Sequence, residues 1–448
     1  MSGFVALFQR NGAPIDRGLL NALTSFLSFR GPDALEIWSS GPIGLGHTLL
    51  RTSRSNAKER QPTTFDGHCW IVADARLDRR TELRDQLKSM GEAVCSSASD
   101  AELILHSYLA WSDDCMKHLF GDFSFAIWDN REQRVFCARD HFGIKPFYYA
   151  ETRDFFVCSN TLDCIRQHPS VSDDLNDQAV ADFLLFGLNC DKATTTFQNI
   201  QRLPPAHFLS VRPDQLRIKR YWSPPVDGWI RYRREEEYAE HFLENLRLAV
   251  ADRMDVDRAG ILLSGGMDSG AMAAIAKEIS PASSTGLKAY TITYEKLLGD
   301  REGYFAQQTA DFLNIPLEMI PMDDLARFSP RTSEDFAFPE PIDDPFALAI
   351  HEQFRFIANH SRVVFYGEGV DNLMYFQLAP YLKILANRGE WLALAAAFSG
   401  FCWRQRSRWH RFWHRALRRF RRKKSERAVP RWISPDLARR VNLQERFA

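Results

Sequence analysis

Six residues of the second half, SGGMDS at 264–269, combine two glycines, two hydroxyls and a carboxylate directly after an apolar segment. Glycine lets backbone N–H groups approach a polyphosphate closely, and a helix that follows points its positive end at the anion. The hydroxyls of Ser264 and Ser269 add donors, and the Asp268 carboxylate is a hard oxygen ligand for Mg²⁺. A plain glycine turn between a strand and a helix, capped by Asp and Ser, is the alternative. The complete pattern favours a nucleotide-polyphosphate site.

The elements around this run predict how it is positioned. Apolar segments and helical periodicity alternate from residue 233 onwards, after a proline-rich, non-periodic stretch at 204–225. Such alternation predicts a doubly wound parallel sheet with ligands at the carboxyl ends of its strands. The predicted elements are helices at 233–250, 270–279 and 303–313 and strands at 259–263, 288–294 and 363–366.

The first half has a different pattern of short strands separated by turn signals, which predicts a β-rich antiparallel layer structure. Two helical stretches interrupt these strands, and Ser99 or Asp100 is a candidate N-cap for the second. Two patterns in 448 residues predict two domains. The predicted elements are strands at 44–50, 69–75, 124–128, 135–139 and 155–158 and helices at 15–29 and 101–111.

The motifs of the second half resemble those of asparagine synthetases. SGGMDS is similar to the pyrophosphate-binding loop of ATP-pyrophosphatases, and GEGVD at 367–371 resembles the second signature of the family. The resemblance implies that ATP adenylates a carboxylate, releasing pyrophosphate, before an amine attacks. Asp268 and Asp371 would bind Mg²⁺, and Glu368 would hold the amine or take its proton, although a helix-capping role for Glu368 stays open. The residues predicted to bind ATP are Leu263, Ser264, Gly265, Gly266, Asp268, Ser269, Thr293 and Gly367.

The resemblance extends over the first half. The segments at 29–33, 121–129 and 138–149 are similar to the class II glutamine amidotransferase domain of the same family. This implies an N-terminal-nucleophile αββα sandwich at residues 1–210, followed by an ATP-pyrophosphatase domain at 225–448.

Several positions of the first domain depart from that family pattern. Ser2 stands where the family has its catalytic cysteine, and a hydroxyl is a far weaker nucleophile than a thiolate at neutral pH. Leu49 stands where an arginine holds the glutamine carboxylate, and Ala73 and Asp74 replace the residues of the oxyanion hole. Asp100 alone matches the acid for the glutamine amine. We therefore expect no glutamine hydrolysis, and a structural or docking role for this domain.

The amine and carboxylate substrates stay open. The run at 73–78 and Asn372 resemble lasso-peptide cyclases, whereas Glu368 matches the asparagine-forming branch. The family's synthetase domain usually continues further and supplies a lysine that would fall beyond Ala448, so either this chain is shortened or another cation takes the place of that lysine. A non-catalytic ATP-binding member and a tRNA-modifying enzyme are the rivals, and the first half argues against the second.

Charge and composition bear on partners and compartment. Residues 401–448 carry 16 Lys or Arg and 3 Asp or Glu, so their net charge of +13 is balanced by −13 elsewhere. Their apolar residues repeat with helical spacing. An acidic partner or precursor peptide, a membrane surface or RNA would fit this helix, but packing on its own acidic body is favoured. Scattered cysteines and the lack of a spanning segment predict a cytoplasmic protein without a transmembrane helix. The apolar face comprises Trp409, Phe412, Trp413, Ala416, Leu417 and Phe420.

Overall fold

The computed structural model divides the chain into two compact units, Met1–Tyr366 and Gly367–Ala448. Glu368, Asp371 and the predicted basic helix at 409–420 lie outside the residues that it describes. The predicted domain boundary at 210–225 lies inside the first unit and stays a prediction. The described residues are 1–54, 58–225, 230–280, 286–294, 301–323, 338–367, 369, 378–404, 430 and 432–443.

Residues 1–225 of the first unit, here called the front region, contain two antiparallel sheets. One has the strand order β2-β3-β1-β8-β7-β9, and the other has the order β11-β10-β6-β5-β4. All five predicted strands coincide with observed ones. The strands are β1 Gly3–Gln9, β2 Ala34–Ser40, β3 Ile43–Leu49, β4 Cys69–Leu77, β5 Gly121–Asp129, β6 Arg134–Arg139, β7 Tyr148–Glu151, β8 Phe155–Ser159, β9 Gln201–Arg202, β10 His207–Val211 and β11 Leu216–Arg220.

Helices cover the outer faces of these two sheets. The predicted helix at 15–29 is α1 followed by a 3₁₀ turn, and the helix predicted at 101–111 is α3. Ser99 caps α3 in a capping box with Glu102, because each side chain accepts a hydrogen bond from the other residue's backbone N–H. The helices are α1 Arg17–Phe26, α2 Arg80–Ser89, α3 Asp100–Trp111, α4 Leu162–Arg166 and α5 Asp177–Phe186, with 3₁₀ turns at Leu27–Phe29 and Ser112–Lys117.

Three buried apolar layers fix the order of helices and sheets in the front region. The central layer lies between the sheets and includes Phe4, Trp128 and Phe147. One outer layer joins α3 to the five-stranded sheet through residues such as Leu105, and the other joins α1 to the six-stranded sheet through residues such as Leu20. The front region is therefore the αββα sandwich that the resemblance implied.

Residues 230–366, here called the back region, hold a parallel sheet with the order β14-β13-β12-β15. Each predicted element between 233 and 366 is present with its ends shifted by three residues or fewer. Buried alanines of α7 and α8 contribute to the core beside this sheet, because small residues let helices lie close to it. The elements are α6 Glu235–Ala251, β12 Ala259–Leu262, α7 Met267–Ile279, β13 Leu287–Thr293, α8 Glu302–Leu313, β14 Leu317–Pro321, α9 Ala347–Ala358 and β15 Val364–Phe365.

Ion pairs join the front and back regions. Asp78 lies 3.0 Å from both Arg76 of β4 and Arg253 beyond the end of α6, and Arg253 is also 3.4 Å from Asp122. A cavity of about 690 Å³ beside these residues has walls from both regions. The two regions therefore share ion pairs beside a cavity that both of them line.

The second unit contributes three described helices, Leu378–Asn387, Trp391–Arg404 and Pro435–Arg440. Within the described parts of the chain, no helix has both the length and the hydrophobicity to cross a membrane.

Candidate functional site

The SGGMDS run forms the tight turn that follows β12 and the first three residues of α7. Gly265 has φ = +74°, a left-handed conformation that glycine adopts at little cost, and Gly266 is the N-cap of α7. The Ser264 and Ser269 hydroxyls lie 3.1 Å apart, and the Ser269 hydroxyl accepts a hydrogen bond from the Ser264 N–H at 3.2 Å. The first N–H groups of α7 have no partner within the helix, so the loop and helix start form a ready anion site.

Residues around the loop fix its position at the carboxyl edge of the parallel sheet. Leu263 is buried and donates its N–H to the Tyr290 carbonyl of β13 at 2.8 Å. Thr293 is the buried last residue of β13, at the same edge. A Cβ on Gly265 would lie 2.5 Å from the Cβ of Phe305 in α8, so the first turn of α8 packs directly on the loop. Asp268 is exposed in the first turn of α7.

Of the three residues predicted to be catalytic, only Asp268 lies among the residues that the structure describes. Glu368 and Asp371 lie outside the described residues, and Gly367 belongs to the second unit. The exposed carboxylate of Asp268 has the donor chemistry that Mg²⁺ prefers, so this residue fits such an ion. The described residues contain no cluster of three or more His, Cys, Asp or Glu side chains suited to a metal. The roles of these residues stay predictions.

A buried charge network occupies the front region where the family pattern has its glutamine pocket. Asp74 of β4 is 4% exposed and lies 3.0 Å from the Lys145 ammonium and 3.7 Å from the Arg30 guanidinium. Asn160 donates to the Asp74 carboxylate at 3.3 Å. Burial alone would raise the pKa of Asp74, but the Lys145 and Arg30 charges hold it below its ordinary value. The carboxylate is therefore ionised and fully paired.

Ser2 lies beside this network, and both its carbonyl and its hydroxyl accept hydrogen bonds. Its carbonyl accepts a hydrogen bond from Asn160 at 2.8 Å and one from Arg30 at 3.3 Å. Its hydroxyl accepts a hydrogen bond from the Leu50 N–H at 3.1 Å. Leu49 is buried at the end of β3, so it offers this pocket no charge. The Ser2 hydroxyl is thus held in a hydrogen bond to the main chain.

Ala73 and Asp100 also have partners that the sequence did not predict. The Gln61 side-chain oxygen accepts a hydrogen bond from the Ala73 N–H at 2.6 Å, and the Gln61 side-chain N–H donates to the Ala73 carbonyl at 3.1 Å. Asp100, 3% exposed, lies 3.3 Å from the guanidinium of Arg80. The partly buried Glu59 has its pKa raised to about 7 by burial and by the nearby Asp100 charge. Arg80 thus already neutralises the acid that the family pattern uses for an amine.

Sequence reasoning missed the cations that complete these pairs. Lys145, Arg30 and Arg80 are 71, 44 and 20 residues away in the chain from the carboxylates that they contact. One signal was present, because an aspartate inside an apolar strand requires a buried counter-charge. Nothing in the spacing identifies which cation supplies it.

Comparison with known protein families gives a match for the front region and another for the back region. The sequence profile of the glutamine amidotransferase domain matches residues 1–222, and that of asparagine synthase matches residues 241–445. The chain belongs to the asparagine synthetase family. The family accounts for a sandwich of antiparallel sheets followed by a parallel sheet with a nucleotide-type loop.

Individual relatives in this asparagine synthetase family are distant. Asparagine synthetase [glutamine-hydrolyzing] 3 of Bacillus subtilis is 29% identical over 63% of this chain and 46% of its own length. Asparagine synthetase [glutamine-hydrolyzing] 1 of the same organism is 25% identical, covering 83% and 58%. Amidase chry2 of Gibberella zeae is 27% identical, covering 79% and 54%. The chain spans about half the length of the curated relatives it matches.

Proposed function

We propose that the chain is an ATP-dependent, AMP-forming amide-bond synthetase. A substrate carboxylate oxygen attacks the α-phosphorus of ATP, and the bond from that phosphorus to the pyrophosphate oxygen breaks. An amine nitrogen then attacks the acyl carbon, AMP leaves with the carboxyl oxygen, and the nitrogen loses a proton. The observation that carries this proposal is the SGGMDS loop, with a left-handed Gly265 and a helix start at the carboxyl edge of a parallel sheet.

The residues of the loop have separate roles in this proposal. The N–H groups of the α7 start and the hydroxyls of Ser264 and Ser269 hold the departing pyrophosphate. Asp268 and Asp371 hold Mg²⁺, which when bound screens the repulsion between the substrate carboxylate and the phosphates. Glu368 accepts the proton of the attacking amine.

The front region, in this proposal, does not hydrolyse glutamine. Its Ser2 hydroxyl is held by the main chain, and Leu49 cannot bind a carboxylate. The Asp74–Lys145 pair stands where the oxyanion of a reacting amide would need donors, and a carboxylate repels an oxyanion. Asp100 is paired with Arg80, so a glutamine amine would compete with a guanidinium. The amine must therefore come from ammonia, from a separate amine molecule or peptide, or from the substrate itself.

A second candidate function is closure of a ring within one peptide, as in lasso-peptide cyclases. The loss of glutamine-binding chemistry in the front region favours it, because an internal amine needs no ammonia donor. A non-catalytic ATP-binding member of the family is the remaining alternative. One set of assays separates all three.

The deciding experiment measures pyrophosphate release from ATP and Mg²⁺. Aspartate with ammonia, aspartate with glutamine, and peptides with an N-terminal amine and a side-chain carboxylate are supplied in turn. We expect release that requires a carboxylate, proceeds without glutamine, and falls at least a hundredfold in Asp268→Ala. Asp311→Ala in α8 is the matched control, because it removes an exposed aspartate away from the loop and should leave release unchanged.

Each outcome assigns the function. Release with aspartate and ammonia supports the asparagine-forming reaction, and release with a single peptide supports ring closure. ATP binding without release under any condition would contradict a synthetase and leave the non-catalytic alternative. Glutamine-driven release accompanied by glutamate would contradict the inactive front region.

A further inference from the structure

Arg301 lies at the start of α8, on the edge of the sheet that carries the SGGMDS loop. The chain leaves β13 at Thr293 and enters α8 at Glu302, and β13 runs parallel to β12. The start of α8 and the loop after β12 therefore lie at the same carboxyl edge. Arg301 is the N-cap of α8, and its carbonyl accepts a hydrogen bond from the Phe305 N–H at 3.1 Å.

Direct packing joins this helix start to the loop. A Cβ on Gly265 would come within 2.5 Å of the Phe305 Cβ and 2.9 Å of the Ala306 nitrogen. The Arg301 guanidinium carbon lies 5.0 Å from the centre of the Phe305 ring and 5.4 Å from that of Tyr304. The guanidinium thus rests on the ring whose Cβ touches the nucleotide-type loop.

The charge of Arg301 is available to a ligand. Arg301 is exposed, and no carboxylate among the described residues lies within ion-pair distance of it. Two aromatic faces hold the guanidinium in place while leaving its N–H donors accessible. A planar guanidinium with paired donors matches phosphate oxygens, and ordering by the rings reduces the entropy lost on binding. Glu302 follows directly, so the helix start presents charges of both signs.

We infer that Arg301 is a phosphate-binding residue of the nucleotide site and contacts the outer phosphates of ATP. This inference rests on the proposed function, because it assigns one more residue to the ATP site. The loop and α7 bind the phosphates, and Arg301 supplies a further positive charge from the start of α8, which packs on the loop.

The test is calorimetric binding of ATP, inorganic pyrophosphate and AMP in the presence of Mg²⁺. Arg301→Ala is compared with Arg301→Lys and with Arg355→Ala. Arg355 is a matched control because it is exposed in the last turn of α9, which leads toward the start of β15 at the other edge of the sheet.

We expect Arg301→Ala to weaken ATP and pyrophosphate binding about tenfold or more while AMP binding stays within twofold. Arg301→Lys should lose less affinity for ATP and pyrophosphate because it keeps the positive charge. Arg355→Ala should bind all three ligands as tightly as the unmodified chain does. The ratio of ATP to AMP affinity is measured on one sample, so it is insensitive to partial misfolding.

Two results would overturn the inference. An equal loss for ATP and AMP would mean that Arg301 supports only the fold of the site. Unchanged ATP and pyrophosphate binding in Arg301→Ala would mean that it contacts no phosphate. A failure of the unmodified chain to bind ATP would instead contradict the proposed function itself, which separates the two hypotheses.

Discussion

Asp74 is a buried carboxylate in the middle of β4, and its ionised form depends on its neighbours. Lys145 at 3.0 Å and Arg30 at 3.7 Å supply the counter-charges, and Asn160 supplies a hydrogen bond. A buried ion pair contributes little relative to apolar packing, but removing one partner leaves an uncompensated charge. The network therefore makes the front pocket sensitive to single substitutions, whatever chemistry the rest of the chain performs.

We expect Asp74→Ala to lower the free energy of unfolding by about 3 kcal/mol at neutral pH, because Lys145 and Arg30 then lie buried without their anion. Urea unfolding measures this change, and Asp74→Ala combined with Lys145→Met should recover part of it. The pKa of Asp74 is depressed below 3.8, so its contribution is present above that value and is lost as the pH falls through the lower, folded-state pKa. A loss well under 1 kcal/mol at pH 7, or one that disappears already at pH 5, would contradict this account.

The sequence predicted the turn after β12 because its determinants are local, whereas the roles of its residues stay predictions. Ser264, Gly266 and Ser269 lie within six residues, and they form hydrogen bonds with one another. The partner of Asp74 could not be predicted, because 71 residues separate it from Lys145 and only the folded sheets bring them together.

At the scale of elements, the sequence predicted strands and helices well where apolar periodicity is clear. β4, β5 and β12 match their predicted positions because buried strands need runs of apolar residues. β9 and α4 were not predicted, because a strand of two residues and a helix of five have too few residues for a period. Their place depends on packing against β7 and the six-stranded sheet.

Gly265 links two elements, since its positive φ shapes the loop and its missing side chain admits α8. Gly265→Ala adds the cost of a left-handed alanine and a contact 2.5 Å from the Phe305 Cβ. We expect ATP binding to weaken at least tenfold, and the free energy of unfolding to fall by about 2 kcal/mol or more.

The matched control for this change is Gly67→Ala. Gly67 has φ = +72° with no atom within 4 Å of a Cβ, so the control carries the backbone cost alone, about 1–2 kcal/mol. Equal destabilisation by the two substitutions, with ATP binding intact in Gly265→Ala, would show that α8 does not constrain the loop.

At the scale of the first unit, the front and back regions depend on each other through polar contacts. Arg362 of the back region forms an ion pair with Asp33 of the front region. In a second pair, the arginine is in the front region and the carboxylate is in the back region, since Arg202 pairs with Glu340. Each buried apolar cluster among the described residues lies within one of the two regions, so shared charges contribute to the association. The front region can therefore retain a structural role even where its own pocket is filled by ion pairs.

Arg253 tests this dependence, because it spans from the end of α6 to Asp78 and Asp122 of the front region. Its removal leaves Asp78 paired with Arg76 and deprives Asp122 of its ion pair with Arg253. We expect Arg253→Ala to lower the free energy of unfolding by about 1–2 kcal/mol, and to separate unfolding of the two regions in calorimetry.

Arg247→Ala is the control for Arg253→Ala, since Arg247 lies in the α6 helix that precedes Arg253 and pairs with Glu278 inside the back region. An exposed pair of this kind is worth about 0–1 kcal/mol, so unfolding should remain a single transition. Raising the salt concentration should reduce the difference between the two variants, because it screens the ion pairs that Arg253, unlike Arg247, forms with the front region. If both variants unfold alike at low salt, the two regions are joined by contacts other than these ion pairs, and the structural role of the front region would have to rest on packing.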